Sequence, residues 1–231
     1  MDYLINGFQS ALHLLTRMDA ATFSAIEATL ASTCLAMAAA LLLGLPLGFL
    51  LGYCAFPGRR ALRLASDTLL AFPTVLIGLL IYTLITARGP LGAYGLLFTL
   101  RGMAIGQAVL ALPIVVSWTA QAVEDLDPRC RETLLTLGAD GRQLALCSLW
   151  ECRYAVGMVC ITAFGRVITE VGVAMMLGGN IRYATRTMTT AIALETSKGD
   201  FAQGIALGLV LLLMAFFVNL ALAFFRRRSR V

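Results

Sequence analysis

Two charged side chains stand inside an otherwise apolar run of this sequence, "AFGRVITEVGVAMMLGGN". Arg166 and Glu170 are four residues apart, the spacing that brings side chains together on one helix face. A lone charge at the centre of a membrane helix costs on the order of 3 kcal/mol, so each needs a partner. The two can neutralise each other as a buried ion pair, or they can face a polar path. Arg166 alone would attract an oxyanion, whereas the pair has no net charge and suits passage better than tight capture. Downstream, Asn180 and the hydroxyls of Thr185, Thr187, Thr189 and Thr190 add hydrogen-bonding groups, with Arg182 and Arg186 among them. Arg166, Glu170, Asn180, Thr189 and Thr190 are the candidate path residues. The plainer alternative for the residues after 177 is a polar surface loop outside the membrane.

Covalent chemistry has little to work with. The chain has one histidine, His13, no paired carboxylates within one apolar run and no nucleophile elbow, which argues against a membrane enzyme. Six cysteines form no C-x-x-C spacing and have no histidine partner for zinc. No G-x-x-x-x-G-K-[ST] is present, so this chain is not an ATPase. No catalytic residue, metal or cofactor is assigned to it.

The elements that must position the pair follow from hydropathy. Of 231 residues, 59% are hydrophobic and 13% charged, and the mean hydropathy is +0.84. Soluble domains are nearer half apolar and a quarter charged. A span needs about 20 apolar residues, and five segments qualify: Ala25–Gly52, Thr68–Ala87, Gly102–Val123, Tyr154–Leu177 and Gly204–Phe225. The predicted fold is an all-α polytopic membrane protein with five transmembrane helices, residues 1–231 forming one transmembrane domain. Residues 1–20, broken by Asn6, Gln9 and His13, read as an N-terminal interfacial segment. Gly44, Gly48 and Gly52 recur at four-residue spacing and predict close packing against another helix. Pro46, Pro73 and Pro113 lie inside spans and predict kinks or breaks.

Basic residues set the orientation. Eleven arginines fall on one side, in the loops at 59–63 and 129–153 and in the tail at 226–230, against six Lys and Arg on the other. The richer side is expected in the cytoplasm, which puts the N terminus outside and the C terminus inside. The net charge of +5 therefore reflects topology and contact with anionic lipid in the bilayer, not nucleic-acid binding.

The cytoplasmic loop 124–153 is polar and reads as two short helices. Asp127 followed by Pro128 starts the first, as N-cap and first-turn proline. Gly138 ends it. Asp140 caps the second, with Gln143 completing a capping box. Neither helix is long enough to stand alone in water, so the pair needs support from the spans or from a partner.

Within that loop, "E-T-L-L-T-L-G", with Glu132 and Gly138 six apart, resembles the EAA motif of ABC importer permeases. Thr133 and Leu134 replace the two alanines, and Ser148 to Glu151 read "SLWE" where that family continues Ile-x-Leu-Pro. "FPGRR", "RGPLG", "LALPIV", "GRVITEVGVAMMLGGNI" and "TRTMTTAIALETSKGDF" together resemble the tungstate-type permeases, relatives of molybdate and sulfate permeases. The resemblance covers nearly the whole chain. It implies the type I, MetI-like permease fold and a permease of the cell inner membrane that imports an oxyanion, tungstate before molybdate or sulfate. It also implies a homodimer with a central path, two cytoplasmic ATPase subunits that bind ATP and Mg, and an extracytoplasmic oxyanion-binding protein. Carried onto this sequence, Glu132, Thr133, Leu134, Gly138, Ala139 and Asp140 are the expected ATPase-coupling residues. The rival from another class is a non-transporting membrane scaffold, which would explain the loop but not Arg166 and Glu170.

Overall fold

The computed structural model describes residues 19–229. Nearly all of the expected interfacial segment 1–20 lies outside the described residues. The described residues contain helices and no strands.

The first helix, α1 (Ala20–Tyr53), starts at Asp19, whose carboxylate accepts from the Thr22 backbone at 2.8 Å and the Thr22 hydroxyl at 2.7 Å. It continues through Pro46 for 34 residues, about 50 Å at 1.5 Å per residue, well beyond the roughly 30 Å of hydrocarbon. A short helix, α2 (Arg59–Leu70), and α3 (Thr74–Ile85) follow. After a loop containing a single 3-10 turn (Gly92–Tyr94) comes α4 (Leu100–Glu124), which contains Pro113. Then come α5 (Pro128–Thr136), α6 (Gly141–Glu151), α7 (Arg153–Ile168), α8 (Gly172–Gly178), α9 (Met188–Lys198) and α10 (Phe201–Ser229).

Two expected spans are not single helices. Where Thr68–Ala87 was expected to cross, α2 and α3 meet at 100°. Pro73 has no N–H to donate and disfavours helical backbone at Phe72, so the chain turns there and α3 begins. Where Tyr154–Leu177 was expected, α7 ends at Ile168 and α8 starts at Gly172. α1 and α4 are each long and apolar enough to cross a bilayer, and the count rises to four if the bent pairs α2–α3 and α6–α7 each make one span. The fifth expected span, Gly204–Phe225, lies within α10.

α4 is the central helix, packed against α1, α2, α3, α7 and α8. Its contact with α1 is closest where the glycines fall. A Cβ at Gly44 would lie 2.8 Å from Val115 Cγ1, and one at Gly48 would lie 2.7 Å from both Thr119 Cβ and the Val116 carbonyl oxygen. The glycine face therefore serves tight helix packing. Ala36, Met37 and Ala40 of α1, Ala111 and Val115 of α4, and Ala163 and Val167 of α7 form one buried cluster. A second joins Ile77 of α3, Met103 and Leu110 of α4, and Val173 and Leu177 of α8.

Candidate translocation and coupling sites

Arg166 lies in the last turn of α7, and Glu170 follows the end of that helix. The i,i+4 spacing brings them together, at 3.0 Å from Arg166 Nη1 to Glu170 Oε2. They do not share one continuous helix face, because the pair spans the break at 169–171. The break is built from local hydrogen bonds. The Thr169 hydroxyl turns back to the carbonyls of Gly165 and Arg166, an alternative to continuing the helix. The Glu170 Oε1 atom accepts from the Gly172 amide at 3.0 Å and the Val173 amide at 3.4 Å. Glu170 thus satisfies the free amides that open α8, where negative charge is favoured.

The two partners differ in exposure. The Glu170 side chain is 4% exposed and the Arg166 side chain 46%. The carboxylate is fixed by three donors while the guanidinium keeps donors free on an open surface. That surface also carries exposed Thr169, Val171 and Met175. Such an arrangement can meet an anion with a cation whose charge is partly neutralised from behind.

The other candidate path residues are placed differently. Thr189 and Thr190 are buried, and both hydroxyls are engaged. The Thr189 hydroxyl donates to the Glu170 carbonyl at 2.9 Å and lies 2.9 Å from the Thr187 hydroxyl. Thr190 and Thr187 exchange hydrogen bonds in a capping box that opens α9. The Met188 amide donates to the hydroxyl of Thr29 on α1 at 2.9 Å. These threonines fasten α9 to the break and to α1 and do not present free hydroxyls. Asn180 is half-buried with φ 52°, a left-handed conformation that asparagine tolerates better than most residues. Its side-chain oxygen accepts from Arg186 Nε at 3.1 Å.

The loop 124–153 has the caps its sequence calls for. Asp127 accepts from the Arg129 amide at 2.9 Å, and Asp140 and Gln143 form the capping box. Gly138 has φ +80°. Its amide donates to the Leu135 carbonyl and that of Ala139 to the Leu134 carbonyl, each at 3.0 Å, the two bonds of a Schellman ending. Glu132, Thr133, Gly138 and Asp140 are exposed, and Leu134 and Ala139 are half-buried. α5 has no buried residue. Leu137 is 77% exposed and Trp150 70%, apolar surface at the tip and end of a polar loop. Trp150 falls in the "SLWE" stretch, and Arg153 stacks on its ring at 4.7 Å.

Residue types alone did not reveal a third cluster. Arg59, Arg63 and Asp67 of α2 meet Ser117, Gln121 and Glu124 of α4. The available signal was the i,i+4 series at 59, 63 and 67 beside a carboxylate ending the third span.

Comparison with known proteins shows the family. No family model matches the chain. The tungstate uptake system permease protein TupB of Campylobacter jejuni is 48% identical over 219 residues, covering 95% of this chain and 92% of the relative. TupB of Peptoclostridium acidaminophilum is 35% identical over 95% of the chain and 96% of the relative. The sulfate permease CysT and the molybdenum permease ModB of Escherichia coli are 28% and 29% identical over 80% and 70% of this chain. A solved structure of the MetNI methionine ABC transporter matches with a TM-score of 0.72 at 16% identity, over 92% of this chain and 98% of that one. The fold is thus that of an ABC importer permease, and the chain belongs to the ABC transporter permease family that includes the tungstate uptake permeases.

Proposed function

We propose that this chain is the membrane permease of an ATP-driven importer that carries tungstate into the cell. The observation that carries the substrate is the 48% identity to a tungstate permease across nearly the whole length, against 28–29% for sulfate and molybdenum permeases. The chain acts as a homodimer, with the path between two copies. Two cytoplasmic ATPase subunits dock on 124–153, and an oxyanion-binding protein delivers the anion from outside. The N terminus faces outward and the C terminus inward, as the arginine asymmetry favours.

The geometry supplies a mechanism. ATP binding draws the two ATPase subunits together and displaces α5 and α6. These are continuous in chain with α4 and, through a 54° bend, with α7, so the displacement reaches the break at 169–171. Arg166, backed by buried Glu170, presents a cation of reduced net charge to the passing anion. Weak, exposed contact favours release as well as entry. Glu132, Thr133, Leu134, Gly138, Ala139 and Asp140 form the docking face, with Leu137 and Trp150 supplying apolar area.

Purification with the ATPase and reconstitution in vesicles tests this. Tungstate-loaded binding protein should stimulate ATP hydrolysis and drive tungstate inward, with molybdate and sulfate competing less well. Sulfate-driven uptake exceeding tungstate uptake would overturn the substrate. Absence of any bound ATPase would favour a scaffold.

A further inference from the structure

Arg59 and Arg63 contribute to the charge asymmetry of the chain, and their side chains also have specific work. Arg59 Nε donates to the Leu51 carbonyl at 2.7 Å and Nη2 to the Gly52 carbonyl at 3.0 Å, last-turn acceptors of α1 that lack intrahelical donors. The same Nη2 pairs with Glu124 Oε1 at 2.7 Å. Arg63 donates to the Ser117 carbonyl at 2.5 Å and to Gln121 Oε1 at 2.8 Å. It also lies 3.8 Å from Glu124 Oε2. Asp67 accepts from the Ser117 hydroxyl and lies 3.6 Å from Arg63 Nε. One carboxylate therefore serves two arginines, and one arginine joins three helices.

The placement of this cluster matters more than its strength. α2 buries no residue of its own, so polar contacts hold it against α4. Glu124 is the last residue of α4, and α5 begins at Pro128. At its other end α2 turns through 100° into α3. α3 packs on α8 at Gly78, where a Cβ would lie 3.0 Å from Met176 Sδ. α8 is the helix whose first amides Glu170 holds.

We infer that Glu124, with Arg59 and Arg63, is a coupling clamp: positioning residues that make α2, and through it α3, follow the cytoplasmic end of α4 when the coupling loop moves. This rests on reading 124–153 as the ATPase-docking loop. The Arg59–Glu124 pair is partly exposed, its side chains 32% and 30%, and such pairs add little stability, so a merely structural role predicts a small loss of thermal stability with import per ATP unchanged. A clamp instead predicts that import falls while ATP hydrolysis persists.

The test uses the complete transporter in vesicles, comparing native protein with Glu124→Gln, Glu124→Asp and Arg63→Gln. Each variant leaves Arg59 its acceptors at the Leu51 and Gly52 carbonyls, and membrane yield and co-purified ATPase are measured as controls for insertion and assembly. Tungstate imported per ATP hydrolysed should fall about fivefold or more in Glu124→Gln and Arg63→Gln, the change expected when a clamping energy near 1 kcal/mol is lost. Glu124→Asp should recover most of it. Non-natural spin-labelled residues at exposed Leu64 and Arg129 give a second readout and leave the native cysteines in place. The native complex should hold one distance with and without ATP, and Glu124→Gln should broaden it when ATP binds. If native transport is tightly coupled yet Glu124→Gln imports the same amount per ATP, or if the native distance changes on ATP binding, the clamp is wrong and the permease reading stands. If the native complex shows no ATP-driven uptake, the permease reading fails and the clamp with it.

Discussion

Replacement of Gly138 separates two reasons why a glycine stands at the turn of the coupling loop. Its φ of +80° lies in the region where a side chain costs roughly 1–2 kcal/mol, and a β-branched residue is a genuine outlier there. Nothing lies within 4 Å of a Cβ added at this position, so within this chain the cost is conformational and not steric. Gly138→Asn should therefore cost little, since asparagine adopts this conformation at helix ends. Gly138→Ala should weaken the turn by about 1 kcal/mol, and Gly138→Val by about 2 kcal/mol or more, enough to shift a two-state turn by a factor of roughly 5 to 30. The assay is tungstate uptake per ATP hydrolysed in vesicles holding the full transporter, with thermal melting in detergent as the stability control. The order should be glycine, asparagine, alanine, valine, with hydrolysis retained in the valine variant. If asparagine uncouples as fully as valine while the melting temperature stays native, backbone conformation is not the constraint. Close approach of an ATPase surface to the bare backbone would then explain the glycine.

Glu170→Gln keeps an oxygen to cap α8 but loses the charge facing Arg166. It should destabilise by about 1 kcal/mol, because that arginine is half-exposed, whereas Glu170→Ala, which also orphans two amides, should cost about 2–3 kcal/mol in detergent melts. Gly48→Leu should abolish the close α1–α4 contact and the folded yield, and Gly48→Ala should cost about 1–3 kcal/mol by overpacking against Thr119. The buried Thr33 hydroxyl has no partner among the described residues, so Thr33→Val should be neutral or stabilising in the same melt. At the start of α1, the Thr22 hydroxyl and amide, with a further contribution from Arg182, hold the Asp19 carboxyl below its usual range. Its stabilising contribution is present above the ordinary carboxylate value and is lost as pH falls below about 4. Asp19→Asn should therefore melt less pH-dependently in that window.

The parts of this fold that were legible in the sequence are those decided within a few residues. Asp127, the Asp140–Gln143 box and Gly138 are local agreements between side chain and backbone, and the structure contains each. Hydropathy was a poorer guide to continuity, because an apolar run carries the same signal whether its helix is whole or broken. Pro73 at least marked the first break. The second, at 169–171, has no proline, and its cause is a pair of side chains, Thr169 and Glu170, that satisfy backbone groups on either side. The burial of the threonines was not legible either, because polarity does not report burial, and in the structure the Thr189 hydroxyl donates to the Glu170 carbonyl.

The break and the buried threonines have one physical source. A seven-residue helix such as α8 is too short to be stable by its own hydrogen bonds. It persists because Glu170 caps its start, Thr189 holds the carbonyl behind that cap, and Val173, Ala174 and Leu177 are buried against α3 and α4. The same glutamate is the partner of the exposed arginine. A change in charge at Arg166, as when an oxyanion approaches, weakens the pull on Glu170 and leaves its bonds to the α8 amides to compensate. A displacement of α3 bears on α8 from the other side through Gly78. In the mechanism proposed above, the break at 169–171 is where ligand charge and coupling motion would meet. A continuous span with the same two charged residues would keep its backbone hydrogen bonds whatever the charge near Arg166, and the proposed mechanism would lose its link to the loop 124–153.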